Sequence, residues 1–123
     1  PTLCQRHPDC LMRAFLLLTE MQCRLRGCGP QDVMDQVRNM LHAGGKEYAG
    51  EADAFRQFKS SAARIEITPE QALRVYALKH VDGIQSHFDG YESQREPVTD
   101  RVKDLLTYLV LDRLMSEASG VAE

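Results

Sequence analysis

Apolar residues recur along most of this chain at spacings of three and four, which is the period of an α-helix and excludes long alternating strands. From Cys10 to Arg26 the repeat predicts one helix with a broad apolar face. That face comprises Leu11, Met12, Phe15, Leu16, Leu18, Met21, Gln22 and Leu25. Gly27, Gly29 and Pro30 follow and end the helix, because glycine frees the backbone and proline cannot continue the hydrogen-bond ladder.

Four further helices are predicted from the same period and from local start and stop signals. Pro30 opens the second helix, which Gly44 and Gly45 end, and a shorter third helix spans the region of Phe55 to Ala63. Residues 65–67 are predicted to form a brief extended link. The segment 68–71, Thr-Pro-Glu-Gln, is a strong helix start, and the helix that it opens runs to about Phe88. Pro97 opens the last helix.

The expected fold is therefore all-α: a single-domain helical bundle of four main helices plus one short helix. We expect a cysteine-containing N-terminal segment and first helix over residues 1–29, packed on the same domain. Residues 30–116 form the helical core, and residues 117–123 form a frayed tail. The last two long helices carry apolar residues on both sides, so each should lie centrally or meet a second subunit.

Composition limits the function classes. The 123 residues carry a net charge of −3, which argues against general nucleic-acid binding. The longest apolar run, Ala14 to Leu18, is far too short to cross a bilayer, so no membrane association is expected. Arg13, Thr19 and Glu20 interrupt the apolar stretch near the start, which does not resemble a signal peptide. A cytoplasmic protein with reduced cysteines is favoured.

Three groups of residues carry candidate chemistry. Cys4, His7 and Cys10 are spaced three apart and suggest half of a Zn²⁺ site, although reduced cysteines without a metal are the favoured interpretation. Residues 46–53, between two helices, include Glu47 and Glu51, whose carboxylates suit Mg²⁺. The simpler interpretation of that stretch is a solvated loop followed by core phenylalanines.

The third group spans the last two long helices. Lys79, His80 and Asp82 lie on one of them, and Asp100, Asp104 and Tyr108 on the other. Asp100 and Asp104 are one turn apart, and two such charges repel unless a cation lies between them. His80 shares its face with apolar residues, so a hydrogen-bonded core histidine is favoured over a catalytic base.

Three segments, KEYAGEADAFRQFKSSA, ITPEQALRVYALKHVDGIQSH and EPVTDRVKDLLTYLVL, resemble a family of small helical bacteriophage and prophage proteins, the nucleotide-modification-associated domains. The resemblance covers roughly residues 30 to 115. The matching positions are Lys46, Tyr48, Phe55, Phe58, Lys59, Lys79, Asp100, Asp104 and Tyr108. The closing helix is also similar to the second acidic helix of the all-α nucleotide pyrophosphohydrolases (MazG-like). Their first motif, E-E-x-x-E, is absent here.

The resemblance implies a viral protein that binds a nucleotide or modified nucleotide in an infected or lysogenic bacterium, with Mg²⁺-dependent phosphoanhydride hydrolysis as its catalytic version. The implied metal ligands are Asp100, Asp104, Glu47 and Glu51. The implied nucleotide-binding residues are Lys46, Tyr48, Phe58, Lys79 and Tyr108. The alternative is a non-catalytic phage protein that binds a host protein, or a homo-oligomer that forms part of an assembly. A third alternative is a zinc-stabilised interaction module.

Overall fold

The computed structural model describes residues 3–44, 55–91 and 96–118, with side-chain surroundings given for 9–42, 55–91 and 96–118. These ranges contain five helices and no strand. The helices are α1 (Leu3–Arg26), α2 (Pro30–Gly44), α3 (Arg56–Ile65), α4 (Pro69–Phe88) and α5 (Val98–Ala118). The predicted all-α bundle of four main helices and one short helix is confirmed.

Local signals predicted most helix boundaries. The Thr68 hydroxyl accepts a hydrogen bond from the Gln71 backbone N–H at 3.1 Å, and the Gln71 side chain accepts one from the Thr68 N–H at 2.9 Å. This capping box satisfies two donors that the first turn of α4 would otherwise leave unpaired. Helix α1 begins at Leu3, well before the predicted start at Cys10. Helix α5 continues to Ala118, two residues beyond the predicted core, and residues 119–123 lie outside the described ranges.

The predicted extended link at residues 65–67 is wrong. Ile65 belongs to α3, and Glu66 adopts a left-handed conformation with φ of 61° and ψ of 44°. The Glu66 and Ile67 backbone N–H groups both donate to the Ala62 carbonyl, so the chain reverses directly at the helix end. The alternation Ile-Glu-Ile resembles a strand, but a three-residue connection leaves no room for one.

Helix α5 lies at the centre of the bundle and packs against α1, α2 and α4. One core cluster joins α1, α2, α4 and α5 around Val33, Val102 and Leu106. A second cluster joins α3, α4 and the C-terminal half of α5 around Phe58, Leu73 and Met115. Burial on several sides explains why α5 is apolar nearly all round, as the sequence predicted.

Polar contacts from α1 and α4 also reach α5 within this apolar packing. Gln22 of α1 is completely buried, and its Nε2 donates to the Thr99 carbonyl at 2.8 Å. Arg74 of α4 reaches the buried Asp112 of α5, with Nε and Oδ2 3.3 Å apart. Such contacts specify how neighbouring helices align, because a buried polar group left without a partner is costly.

No helix in the described part of the chain combines the length and the apolar character needed to cross a bilayer.

Candidate functional site

The candidate site lies between α4 and the start of α5 and is centred on His80. The His80 side chain is 7% exposed, and its Nδ1 atom has no hydrogen-bond partner in the described structure. Nδ1 lies 3.7 Å from Oε1 of Glu96, and Nε2 lies 3.7 Å from Oδ2 of Asp104. A buried imidazole therefore stands between two carboxylates at distances longer than ordinary hydrogen bonds.

His80, Glu96 and Asp104 each offer a ligand atom, and these three atoms lie within 4.8 Å of one another. Ligands around a zinc or magnesium ion lie about 2.0–2.3 Å from the metal. The three side chains would have to move closer together to bind one ion at that distance. The group would supply one imidazole nitrogen and two carboxylate oxygens to the ion.

Arg101 supplies the nearest cationic partner of this group. Its Nη1 lies 3.4 Å from Oε1 of Glu96, and its side chain is only 12% exposed. The guanidinium packs over Gly83 of α4, where a Cβ would come within 2.5 Å of Cζ. The absence of a side chain at residue 83 is thus what lets Arg101 lie beside the site. Its Nε is buried without a partner in the described structure.

Burial shifts the pKa values of His80 and Asp104 in opposite directions. It lowers the pKa of His80, although Asp104 and Glu96 oppose that shift. It raises the pKa of the Asp104 carboxyl, and His80 opposes this shift in turn. A neutral imidazole is the form that binds metals, so the lowered His80 pKa favours the metal-binding state.

An aromatic cluster supports His80 from the side of α3. The Tyr108 ring lies 5.6 Å from the His80 ring, and Tyr76 stacks on Tyr108 at 6.5 Å. Phe58 meets both tyrosines edge-on. The Ser61 and Tyr76 hydroxyls share a hydrogen bond of 2.9 Å. These contacts restrict the imidazole ring on the side that meets Tyr108.

The structure brings together only some of the predicted site residues. Asp104 lies in the site, and Tyr108 lies against His80. Asp100 is not in the three-residue group, and its carboxylate lies 3.7 Å from Lys103 Nζ. Phe58 is 2% exposed and belongs to the core, so its ring has no face left for a nucleobase. Lys79 is exposed beside the buried His80 on α4.

Four predicted site residues, Lys46, Glu47, Tyr48 and Glu51, lie outside the described residues. Cys4 and His7 fall within α1, but their side chains lie outside the described part, and Cys10 is an exposed free thiol. The zinc hypothesis for these three residues therefore stays a prediction.

His80 and Glu96 are the site residues that sequence reasoning misjudged. The sequence favours a hydrogen-bonded core histidine at residue 80; His80 is buried, but its Nδ1 lacks the partner that this interpretation requires. No sequence motif points to Glu96. The one available signal was its position directly before Pro97, which places it at the start of α5.

The chain matches no protein-family model, no curated protein and no solved structure.

Proposed function

We propose that the protein binds a divalent transition-metal ion through His80, Glu96 and Asp104, and through that ion the phosphate groups of a nucleotide. The observation that carries the proposal is the buried imidazole with an unpartnered nitrogen between two carboxylates. Clustered acidic groups alone are common on protein surfaces. A buried nitrogen without a partner is uncommon, and a bound ion would satisfy it.

The ligand types favour Zn²⁺, and Mn²⁺ to a lesser degree, over the Mg²⁺ expected from the sequence. Magnesium prefers an all-oxygen octahedral set, whereas an imidazole nitrogen suits zinc, iron and related metals. In this proposal His80 supplies that nitrogen, and Glu96 and Asp104 supply oxygens. Protein ligands occupy three positions, which leaves coordination sites open for water or a phosphate oxygen.

Charge supports a phosphate as the second ligand. The site contains two carboxylates and the Arg101 guanidinium, so a bound divalent cation would leave the local net charge at +1. Arg101 already lies beside Glu96, and exposed Lys79 adjoins His80 on α4. Cations beside a metal-bound phosphate are the usual means of stabilising phosphoryl charge. Hydrolysis would additionally require the ion to polarise a phosphoryl oxygen and orient a water.

Thermal denaturation of EDTA-treated protein with MnCl₂, ZnCl₂ or MgCl₂ tests the metal part. An ion that binds only the folded chain stabilises it by about 2.7 kcal/mol at one hundred times its Kd. We expect Mn²⁺ or Zn²⁺ to raise the melting temperature more than Mg²⁺ does. Glu96→Gln and Asp104→Asn should each abolish the rise. The matched controls Asp82→Asn and His87→Gln alter exposed residues of α4 and should retain it.

The proposed metal site is overturned if no metal raises the melting temperature of the wild-type protein. It is also overturned if metal raises the melting temperatures of Glu96→Gln and Asp104→Asn as much as that of the wild type. The nucleotide part is tested separately with a nucleoside triphosphate added to the Mn²⁺-saturated protein. A further rise supports it, and Arg101→Met should weaken triphosphate binding at least tenfold without weakening Mn²⁺ binding. Absence of the further rise removes the nucleotide and leaves the metal site standing. Release of pyrophosphate from the nucleoside triphosphate would show that the protein also hydrolyses the phosphoanhydride bond.

A further inference from the structure

The outward face of α1 is unusually apolar for a surface facing solvent. Met12, Leu16 and Leu17 are 59%, 60% and 66% exposed. Scattered exposed apolar residues are ordinary, but a contiguous patch marks an interaction surface. These three residues form such a patch on one side of a single helix.

Two apolar hollows flank this face. The first, of about 440 Å³, lies between α1 and α5 and is lined by Met12, Phe15, Leu16, Val110 and Leu114. The second, of about 350 Å³, lies between the C-terminal half of α1 and the end of α4. Its lining includes Leu17, Met21, Leu25 and the half-exposed Phe88. The outer face of α1 is thus a ridge with an apolar hollow along each half.

Charged residues on the same ridge are arranged so that residues equally far from its midpoint, on either side, have opposite charges. Asp9 and Arg13 lie on the N-terminal side, and Glu20 and Arg24 on the C-terminal side. All four are exposed, and Arg24 pairs with Glu20 at 2.7 Å within the helix. If a second α1 lay antiparallel about a two-fold axis between residues 16 and 17, Arg13 would meet Glu20 and Asp9 would meet Arg24 of that copy. Parallel alignment in register would instead oppose identical charges.

The same axis matches the apolar residues. It places Leu16 level with Leu17 and Met12 level with Met21 of the second copy. The two hollows lie on opposite sides of the ridge, so the N-terminal hollows of both copies would adjoin on one side of the pair and the C-terminal hollows on the other. A two-fold interface must be complementary to itself, and this face meets that condition in both charge and apolarity.

We propose that the chain forms a homodimer through antiparallel pairing of α1 with α1 of a second copy. Arg13 and Glu20 of opposite copies form the central ion pairs. Leu16, Leu17 and Met12 of each copy pack beside the flanking hollows of the other. The site around His80 lies between α4 and α5 and takes no part in the interface, so the dimer does not depend on the proposed metal.

Sedimentation equilibrium and charge reversal test the arrangement. Wild-type protein should sediment at about twice the 13.9 kDa chain mass. Arg13→Glu and Glu20→Arg each place like charges together at two symmetry-related positions, so each should weaken self-association at least tenfold. The double variant R13E/E20R restores opposite charges and should dimerise again. Mixing R13E with E20R should yield a heterodimer from two chains that separately remain monomeric.

Leu78→Gln is the matched control, because Leu78 is 57% exposed on the outer face of α4. It should leave the dimer unchanged, whereas Leu16→Gln should weaken it. Circular dichroism of each variant checks that the helices remain folded. The proposal is overturned by a monomeric wild type at about 200 µM protein, by a mixture of R13E and E20R that does not associate, or by a dimer that Leu78→Gln dissociates and Glu20→Arg does not.

Discussion

The side chain of Arg101 occupies the space that a β-carbon on residue 83 would need. An ideal Cβ at Gly83 would lie 2.3 Å from Cδ and 2.5 Å from Cζ of Arg101. Glycine inside a helix costs roughly 1 kcal/mol relative to alanine. Its presence inside the C-terminal half of α4 is explained by the close approach of this arginine, which in turn lies beside Glu96.

The effect of Gly83→Ala on the free energy of unfolding should therefore depend on the side chain at residue 101. In an Arg101→Ala background we expect Gly83→Ala to stabilise the protein by about 0.5–1 kcal/mol, because the space is open and alanine favours the helix. In wild type the guanidinium must move away from α4 and Glu96, so the gain should be lost or reversed. Urea denaturation of the four proteins measures this coupling. Equal stabilisation in both backgrounds would contradict the packing argument.

Two substitutions of Gln22 should have very different effects on the free energy of unfolding. Its Nε2 donates to the Thr99 carbonyl, but its Oε1 is buried without a partner in the described structure. Gln22→Met keeps the volume and removes the unsatisfied oxygen, so we expect a change of less than about 1 kcal/mol in the free energy of unfolding. Gln22→Ala leaves a cavity between α1 and α5 and should cost roughly 2–4 kcal/mol. Similar costs for both substitutions would show that the hydrogen bond dominates.

The contribution of an ion pair to the stability of this protein should depend more on its burial than on the distance between its charged atoms. Arg24 and Glu20 are closer, at 2.7 Å, but both side chains are largely exposed. Arg74 and Asp112 are 3.3 Å apart, and the Asp112 side chain is 9% exposed. We expect Arg74→Met to cost about 1–3 kcal/mol, because it weakens the compensation of a buried carboxylate. Arg24→Met should change stability by less than about 0.5 kcal/mol. Chemical denaturation of both variants at the same pH shows which substitution costs more stability. A larger loss for Arg24→Met would contradict the expectation.

His80 should make the metal-free protein less stable in mild acid. Burial lowers its pKa, so the unfolded chain takes up a proton near the ordinary value of 6.5 more readily than the folded chain does. The stability contributed by neutral His80 is present above pH 6.5 and falls as the pH drops below it. The slope for one histidine cannot exceed about 1.4 kcal/mol per pH unit. Asp104 has the opposite sign: its raised pKa favours the folded state below the ordinary value of 3.8.

Urea denaturation in EDTA between pH 7.5 and pH 5.5 measures the His80 effect. His80→Gln should flatten the pH dependence in that range, and His87→Gln, which alters an exposed histidine on the same helix, should preserve it. Charged neighbours on both helices contribute to the shift: Asp104, Glu96, Lys79 and Arg101 all act on His80. A pH profile unchanged by His80→Gln would assign the dependence to another group.

The parts of the structure that the sequence predicted are those governed by local rules. The start of α4 followed from Thr68 and Gln71, which are three residues apart and cap the helix by themselves. The central position of α5 followed from its apolar residues on both sides. The site was predicted only at Asp104, because what joins His80 to Glu96 and Asp104 is the packing of α4 against the start of α5. No periodicity encodes such a contact, and no local signal distinguishes an unpartnered buried histidine from a satisfied one.

The central position of α5 also constrains the order in which this protein can fold. The Gln22–Thr99 hydrogen bond joins residues 77 positions apart, and both core clusters require side chains from α5. Long-range closure of this kind slows folding relative to helical bundles that are held by neighbouring helices alone. During synthesis, α1 to α4 emerge from the ribosome before the helix that covers their apolar faces. The nascent chain therefore passes through a stage in which Val33, Leu73 and their neighbours are exposed to solvent and to other proteins, and α5 ends that stage.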